Sequence, residues 1–145
     1  DQAVAIPIDD RIQLLEQSFL RKERLSYVWH GDFKEVDALF DALVGGGFLA
    51  DYTSIEDFKG VFSGKLLDEV KPLVWIRAKN LLAYLIDQLN EEGKLFECTN
   101  LWSTARSCFA NAKNLAQLRT NYESLNSSRK PKGYRAIDNI LNNLK

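Results

Sequence analysis

A unit of 23 residues occurs twice in this 145-residue chain, first from Tyr27 to Leu49 and again, 46 positions later, from Leu73 to Leu95. Seven of the aligned pairs are identical: Val28/Val74, Trp29/Trp75, Leu39/Leu85, Asp41/Asp87, Leu43/Leu89, Gly47/Gly93 and Leu49/Leu95. They fall where a fold tolerates least change, at an aromatic centre, along one helix face and at a helix stop. A tandem duplication restricts the chain to architectures in which one small unit packs against its own copy.

Both copies carry the same succession of signals. Leu25-Ser-Tyr-Val-Trp29 and Leu73-Val-Trp-Ile76 are aromatic and β-branched runs and predict short strands. After the first, Asp32 and Glu35 stand where carboxylates satisfy the unpaired amides of a helix start. Val36, Leu39, Phe40 and Leu43 then recur every three or four residues, the spacing of one apolar helix face, and Gly45-Gly-Gly47 ends the run. Leu81, Leu82, Leu85, Ile86 and Leu89 repeat that face before Gly93. Phe48-Leu49-Ala50 and Lys94-Leu95-Phe96 predict brief return strands that pair with the tryptophan strands. A second helix follows in each copy. Thr53 and Glu56 form a capping box ahead of Ile55, Phe58, Val61 and Phe62, closed by Gly64. Thr99 or Asn100 caps the counterpart, which carries Leu101, Trp102, Ala105, Cys108 and Phe109 with its register displaced by one residue.

Outside the repeat, periodic apolar residues predict an opening helix over 9–24, a helix over 114–126 and a last helix after Gly133. Ser127-Ser-Arg-Lys-Pro-Lys-Gly133 between the last two is loop chemistry, because proline blocks helix continuation there. The expected fold class is therefore α+β, mainly α: a single domain over 1–145, with a strand-helix-strand-helix repeat over 25–64 and 71–111, flanking helices, and a basic helical segment over 112–145.

The chain is long enough to bury a core without metals or disulfides, and its 46% apolar and 27% charged residues describe a folded protein. The longest apolar run, Leu81 to Ile86, falls far short of the roughly 20 residues that cross a bilayer, and no basic-then-apolar leader opens the chain. A soluble, cytoplasmic protein without a membrane partner is expected. With no Met anywhere, Asp1 is expected to be an internal residue of a longer product. Cys98 and Cys108, ten apart and far from the lone His30, do not make a zinc set and are expected as reduced thiols.

The net charge of −1 conceals a division. Residues 1–102 hold 11 Lys and Arg against 18 Asp and Glu, a net −7, whereas residues 103–145 hold 8 against 2, a net +6. A local positive field attracts polyanions whatever the total charge, so double-stranded DNA is one expected partner. An acidic protein surface, on this chain, on a second copy or on another protein, is the other. Trp29 and Trp75 could stack on bases, but their apolar strands point to the core. His30 follows a strand with no Ser or Cys partner in view, and the carboxylate pairs Asp9-Asp10, Asp68-Glu69 and Glu91-Glu92 belong to solvated ends and loops. The 45–47 glycines lack the Lys-Ser/Thr of a phosphate loop. No enzymatic role, cofactor or metal is expected. What survives is cationic: Lys113, Arg119, Arg129, Lys130, Lys132 and Arg135, with Arg106 nearby, as phosphate contacts, and Tyr122 and Tyr134 as stacking or hydrogen-bonding groups.

Trp29-His-Gly-Asp-Phe-Lys-Glu-Val-Asp-Ala-Leu-Phe-Asp-Ala-Leu43, then Gly47-Phe-Leu, then Thr53-Ser-Ile-Glu-Asp-Phe-Lys-Gly-Val-Phe62 resembles the C-terminal region of RteC-like proteins. There a Trp-x-Gly opening leads into a leucine-patterned helix, a turn, and a second helix ending in Phe. The close of the chain, from Phe109 through Arg119 and the Arg129 to Lys132 loop to Ile137 and Leu144, is also similar. The resemblance spans residues 25–145, and Ile76-Arg77 departs from it where His30-Gly31 would repeat. It implies a bacterial regulatory protein associated with conjugative transposons that binds DNA through a helix-turn-helix region and controls excision genes.

Overall fold

The computed structural model describes residues 24–96, 100–125 and 129–144. The helix expected over 9–24 lies, apart from Arg24, outside the described residues, as do Cys98, Thr99, Asn126 at the end of the helix expected over 114–126, and Ser127-Ser128 at the start of the expected loop. Six helices follow in chain order: α1 (Lys34–Gly45), α2 (Ile55–Val61), α3 (Lys79–Glu91), α4 (Leu101–Cys108), α5 (Leu115–Leu125) and α6 (Tyr134–Asn142), with a 3-10 turn at Leu67–Glu69.

The expected α+β class is wrong. Among the described residues there is no β-sheet; the tryptophan and return segments meet only through isolated bridges, Trp29 with Leu95, Leu49 with Trp75, Val28 with Ser63 and Leu25 with Leu66, all antiparallel, and Leu73 with Phe109, parallel. Each extended run is clipped before a ladder can grow. Upstream of Trp29 the Ser26 amide still donates to the Lys65 carbonyl at 2.7 Å, but the return bond from the Lys65 amide goes to the Ser26 hydroxyl, which itself donates to the Gly60 carbonyl. Downstream, Gly31 turns at φ +127° and α1 starts three residues later. Aromatic and β-branched composition reported burial, not strand length.

The pairing also crosses between the copies. His30 N–H donates to Lys94 C=O at 2.7 Å, and 46 residues on, Ile76 N–H donates to Phe48 C=O at 2.9 Å. Phe96 N–H reaches Val28 C=O at 3.0 Å, and Ala50 N–H reaches Val74 C=O at 3.1 Å. The tryptophan segment of each copy thus holds the return segment of the other, not its own. Side chains exchange in the same sense. His30 Nδ1 lies 3.1 Å from the Gly93 carbonyl, while Arg77 donates to the Gly47 and Gly46 carbonyls at 3.1 and 2.8 Å. Two residues from positions where the copies differ therefore do one job, covering the exposed carbonyls where the other copy's helix ends.

Side chains cap few of the helix starts: α1, α3, α4 and α6 have no side-chain cap bond, so Asn100 at the start of α4 does not cap as expected. Asp32 Oδ1 accepts from the Lys34 amide at 2.9 Å, but Glu35 closes no capping box; its carboxylate takes the Trp29 indole N–H at 3.1 Å and the Lys94 ammonium at 3.0 Å. The cap of α2 is Ser54, accepting from Asp57 N–H at 3.2 Å, while Thr53 donates its hydroxyl to Ala50 C=O. No register displacement separates α2 from α4 at their starts: Phe58 N–H to Ser54 C=O and Thr104 N–H to Asn100 C=O stand at the same offset of 46, and α4 runs one residue longer.

Trp29 and Trp75 are both buried, with Trp29 edge-on to Phe62 at 5.5 Å and Trp75 tilted on Phe48 at 5.5 Å. The two copies, α5 and α6 contribute to one buried apolar cluster. Its centre is α3. Where α1 buries only Val36, Leu39 and Leu43, α3 buries every residue from Leu81 to Asp87 as well as Leu89, because α5 lies along it and α6 spans from it to α1.

Candidate nucleic-acid interface

The cationic segment is placed by what holds it to α3. Leu115 and Tyr122 of α5 are buried, and between them Arg119 points at α3, where its Nε stands 2.9 Å from Asp87 Oδ1 and its Nη2 3.2 Å from Glu123 Oε2. Burial pushes the Asp87 carboxyl above its ordinary value although the guanidinium pulls the other way. Beyond α5, Pro131 is buried, Gly133 adopts φ +87° near Leu81, and Tyr134 opens α6. Tyr84 of α3 is the anchor: its ring meets Tyr122 at 6.3 Å and Tyr134 at 5.9 Å, and its hydroxyl donates to Asp138 Oδ1 at 2.6 Å.

This scaffold sorts the six expected phosphate contacts into two groups. Lys113, Arg129, Lys132 and Arg135 are exposed and have no ion pair among the described residues, while Lys130 is half-buried, its ammonium 4.8 Å from the centre of the Tyr134 ring. Arg129, Lys130, Lys132 and Arg135 gather at one loop and the first turn of α6. Lys113 stands apart, at the turn before α5. Arg119 is already held by two carboxylates. Tyr122 does not offer its ring for stacking either, since the side chain is 4% exposed.

Behind the loop lies a cleft of about 240 Å³, walled by Asp87 and Glu91 of α3, Arg119, Tyr122 and Glu123 of α5, and Arg129 and Lys130. The Tyr122 hydroxyl is enclosed there without a hydrogen-bond partner among the described residues. Burial, then the nearby Asp87 charge, push its pKa well above the usual phenol range, so it stays a donor. Arg129 is held at φ +58°, a left-handed conformation uncommon for a side-chain-bearing residue. The sequence reading missed Asp87 and this cleft. The one available signal was an aspartate inside the apolar Leu81 to Leu89 run, 32 residues before an arginine.

His30 is exposed and tied to the Gly93 carbonyl, and Phe96 is the aromatic ring packed beside it at 4.7 Å. No group of His, Cys, Asp and Glu among the described residues could hold a metal ion, and no helix among them is long and apolar enough to cross a membrane. No protein-family model matches the sequence, and neither a curated protein nor a solved structure matches it.

Proposed function

We propose that the chain is a cytoplasmic DNA-contacting regulator, as the RteC-like resemblance implies, serving a bacterial mobile element and gripping duplex phosphates with its closing segment. One observation carries the reading. Between Glu123 and Asp138 the chain has four cations and no carboxylate, and Arg129, Lys132 and Arg135 of that set are exposed around a single loop-helix junction. Cations so placed keep their full charge for an external polyanion. Lys130 belongs to the same cluster, and Lys113 is the outlying contact. Arg119 is left out, because a guanidinium neutralised by Asp87 and Glu123 has little charge to give.

The test is a fluorescence titration of duplex DNA between about 50 and about 300 mM salt, where the log-log slope is roughly −0.9 for each phosphate contact. Lys132→Ala and Arg135→Ala should each make the slope shallower by about one contact, while Arg119→Ala leaves it unchanged. Absence of binding at the lowest salt rejects the reading.

A second reading, a protein-interaction or structural module, is favoured by one contact: Arg119 of the basic segment is seated on Asp87 of the acidic part. Under it, reversing the charge of Lys132 and Arg135 changes the mass seen by light scattering and has no DNA phenotype.

A further inference from the structure

We propose that the outer face of α6 reads bases in the major groove of duplex DNA, Asn139 and Asn142 each pairing with the edge of an adenine while Lys132 and Arg135 hold the flanking phosphates. This base reading rests on the contact with DNA proposed for the closing segment, and adds a sequence preference that phosphate contacts do not give.

Placement, chemistry and energetics on α6 point the same way. Ile137 and Leu141 bury one side of the helix, while Arg135, Asn139 and Asn142 are exposed at the spacing that sets them one turn apart on the opposite side. That outer face has no carboxylate. Asp138, the one acidic residue of α6, is half-buried and accepts from the Tyr84 hydroxyl at 2.6 Å. A face built only to grip phosphates gains from cations, whereas the carboxamide of asparagine sets an acceptor beside a donor, the complement of the N6 donor and N7 acceptor that adenine shows in the major groove. Neither amide forms a side-chain hydrogen bond among the described residues, so both groups of each are open to an outside partner. Asparagine is also a poorer helix former than alanine, because its side chain competes for backbone groups, and Asn139 stands inside α6 with no bond to offset that cost. A helix about 10–12 Å across fits a groove about 12 Å wide, and a base edge there supplies the bonds that the fold withholds.

The experiment selects the preferred site of the full chain from duplexes with a randomised centre, then titrates the selected and the randomised duplex at about 100 mM salt. The selected site should contain adenines, and replacing one such A·T pair by G·C should weaken binding at least about fivefold. Asn139→Ala should remove the preference at one adenine and Asn142→Ala at another, each with the wild-type salt slope, since no phosphate contact is lost. Lys132→Ala should instead weaken both duplexes by the same factor and make the slope shallower. Asn139→Ala should also melt at or above the wild-type temperature, because alanine is the better helix former. Equal affinity for every sequence with an ordinary salt slope overturns base reading and leaves the phosphate contacts standing, whereas no binding at the lowest salt rejects both. An adenine preference that survives either substitution overturns the proposal, as does an Asn139→Ala protein that melts lower, which assigns the amide to the fold.

Discussion

Gly45 and Gly93 look alike in sequence, each at the end of a repeat helix, yet the structure separates them. Gly93 sits at φ +73° with open space where a Cβ would go, so alanine there meets backbone strain alone, about 1–2 kcal/mol. Gly45 is the last residue of α1, without positive φ and equally open, so alanine removes only unfolded-state freedom. Urea unfolding should show Gly93→Ala destabilised by that amount and Gly45→Ala stabilised by about 0.5 kcal/mol. Arg119 makes a charge prediction of the same kind. Removing it strands the buried Asp87 carboxylate, and with Arg119 one-third exposed the loss should be about 1–3 kcal/mol. Burial already holds the Asp87 carboxyl above its ordinary value, so the native state binds that proton more tightly than the unfolded chain does. Stability from this group is therefore gained as pH falls through its native value and lost as pH rises. The Arg119→Ala deficit, measured by urea unfolding at several pH values, should be largest near neutrality and shrink on acidification.

At the scale of elements, the exchange between copies sets what can fold alone. Trp29 is bridged to Leu95 and Leu49 to Trp75, so neither copy keeps its own return segment. Chains covering only 24–70 or only 71–144 should each give poorly dispersed amide NMR spectra, and mixing them should restore the native spectrum. Independent folding of either half would contradict the exchanged pairing. The attachment of α6 leads to a smaller prediction. Tyr84→Phe deletes the 2.6 Å bond to Asp138 and should cost about 1 kcal/mol by thermal or urea unfolding. Helices were legible in the sequence because their signals are local: Val36, Leu39 and Leu43 share a face whatever the rest of the chain does. The expected strands failed because a ladder needs consecutive partners; the Ser26 hydroxyl takes one of the bonds it would use, and Gly31 and the start of α1 end the run downstream.

For the molecule as a whole, the acidic front and basic close of the chain meet in an ion pair, Arg119 against Asp87, while Arg129, Lys132 and Arg135 are exposed. That division leaves an exposed cationic junction beside a cleft lined by charges of both signs. The sequence by itself determined the two copies, their glycine stops, the α5 and α6 helices and the cation-rich loop, since periodicity and turn chemistry are written within a few residues. Tertiary structure alone decided which copy each tryptophan grips, because two copies with the same pattern make Trp29 with Leu49 and Trp29 with Leu95 equivalent on paper. It also decided that Asp87 is buried while its repeat partner Asp41 is exposed. Only one of the two helices is covered by α5, and charge becomes costly, and so paired, where water is excluded.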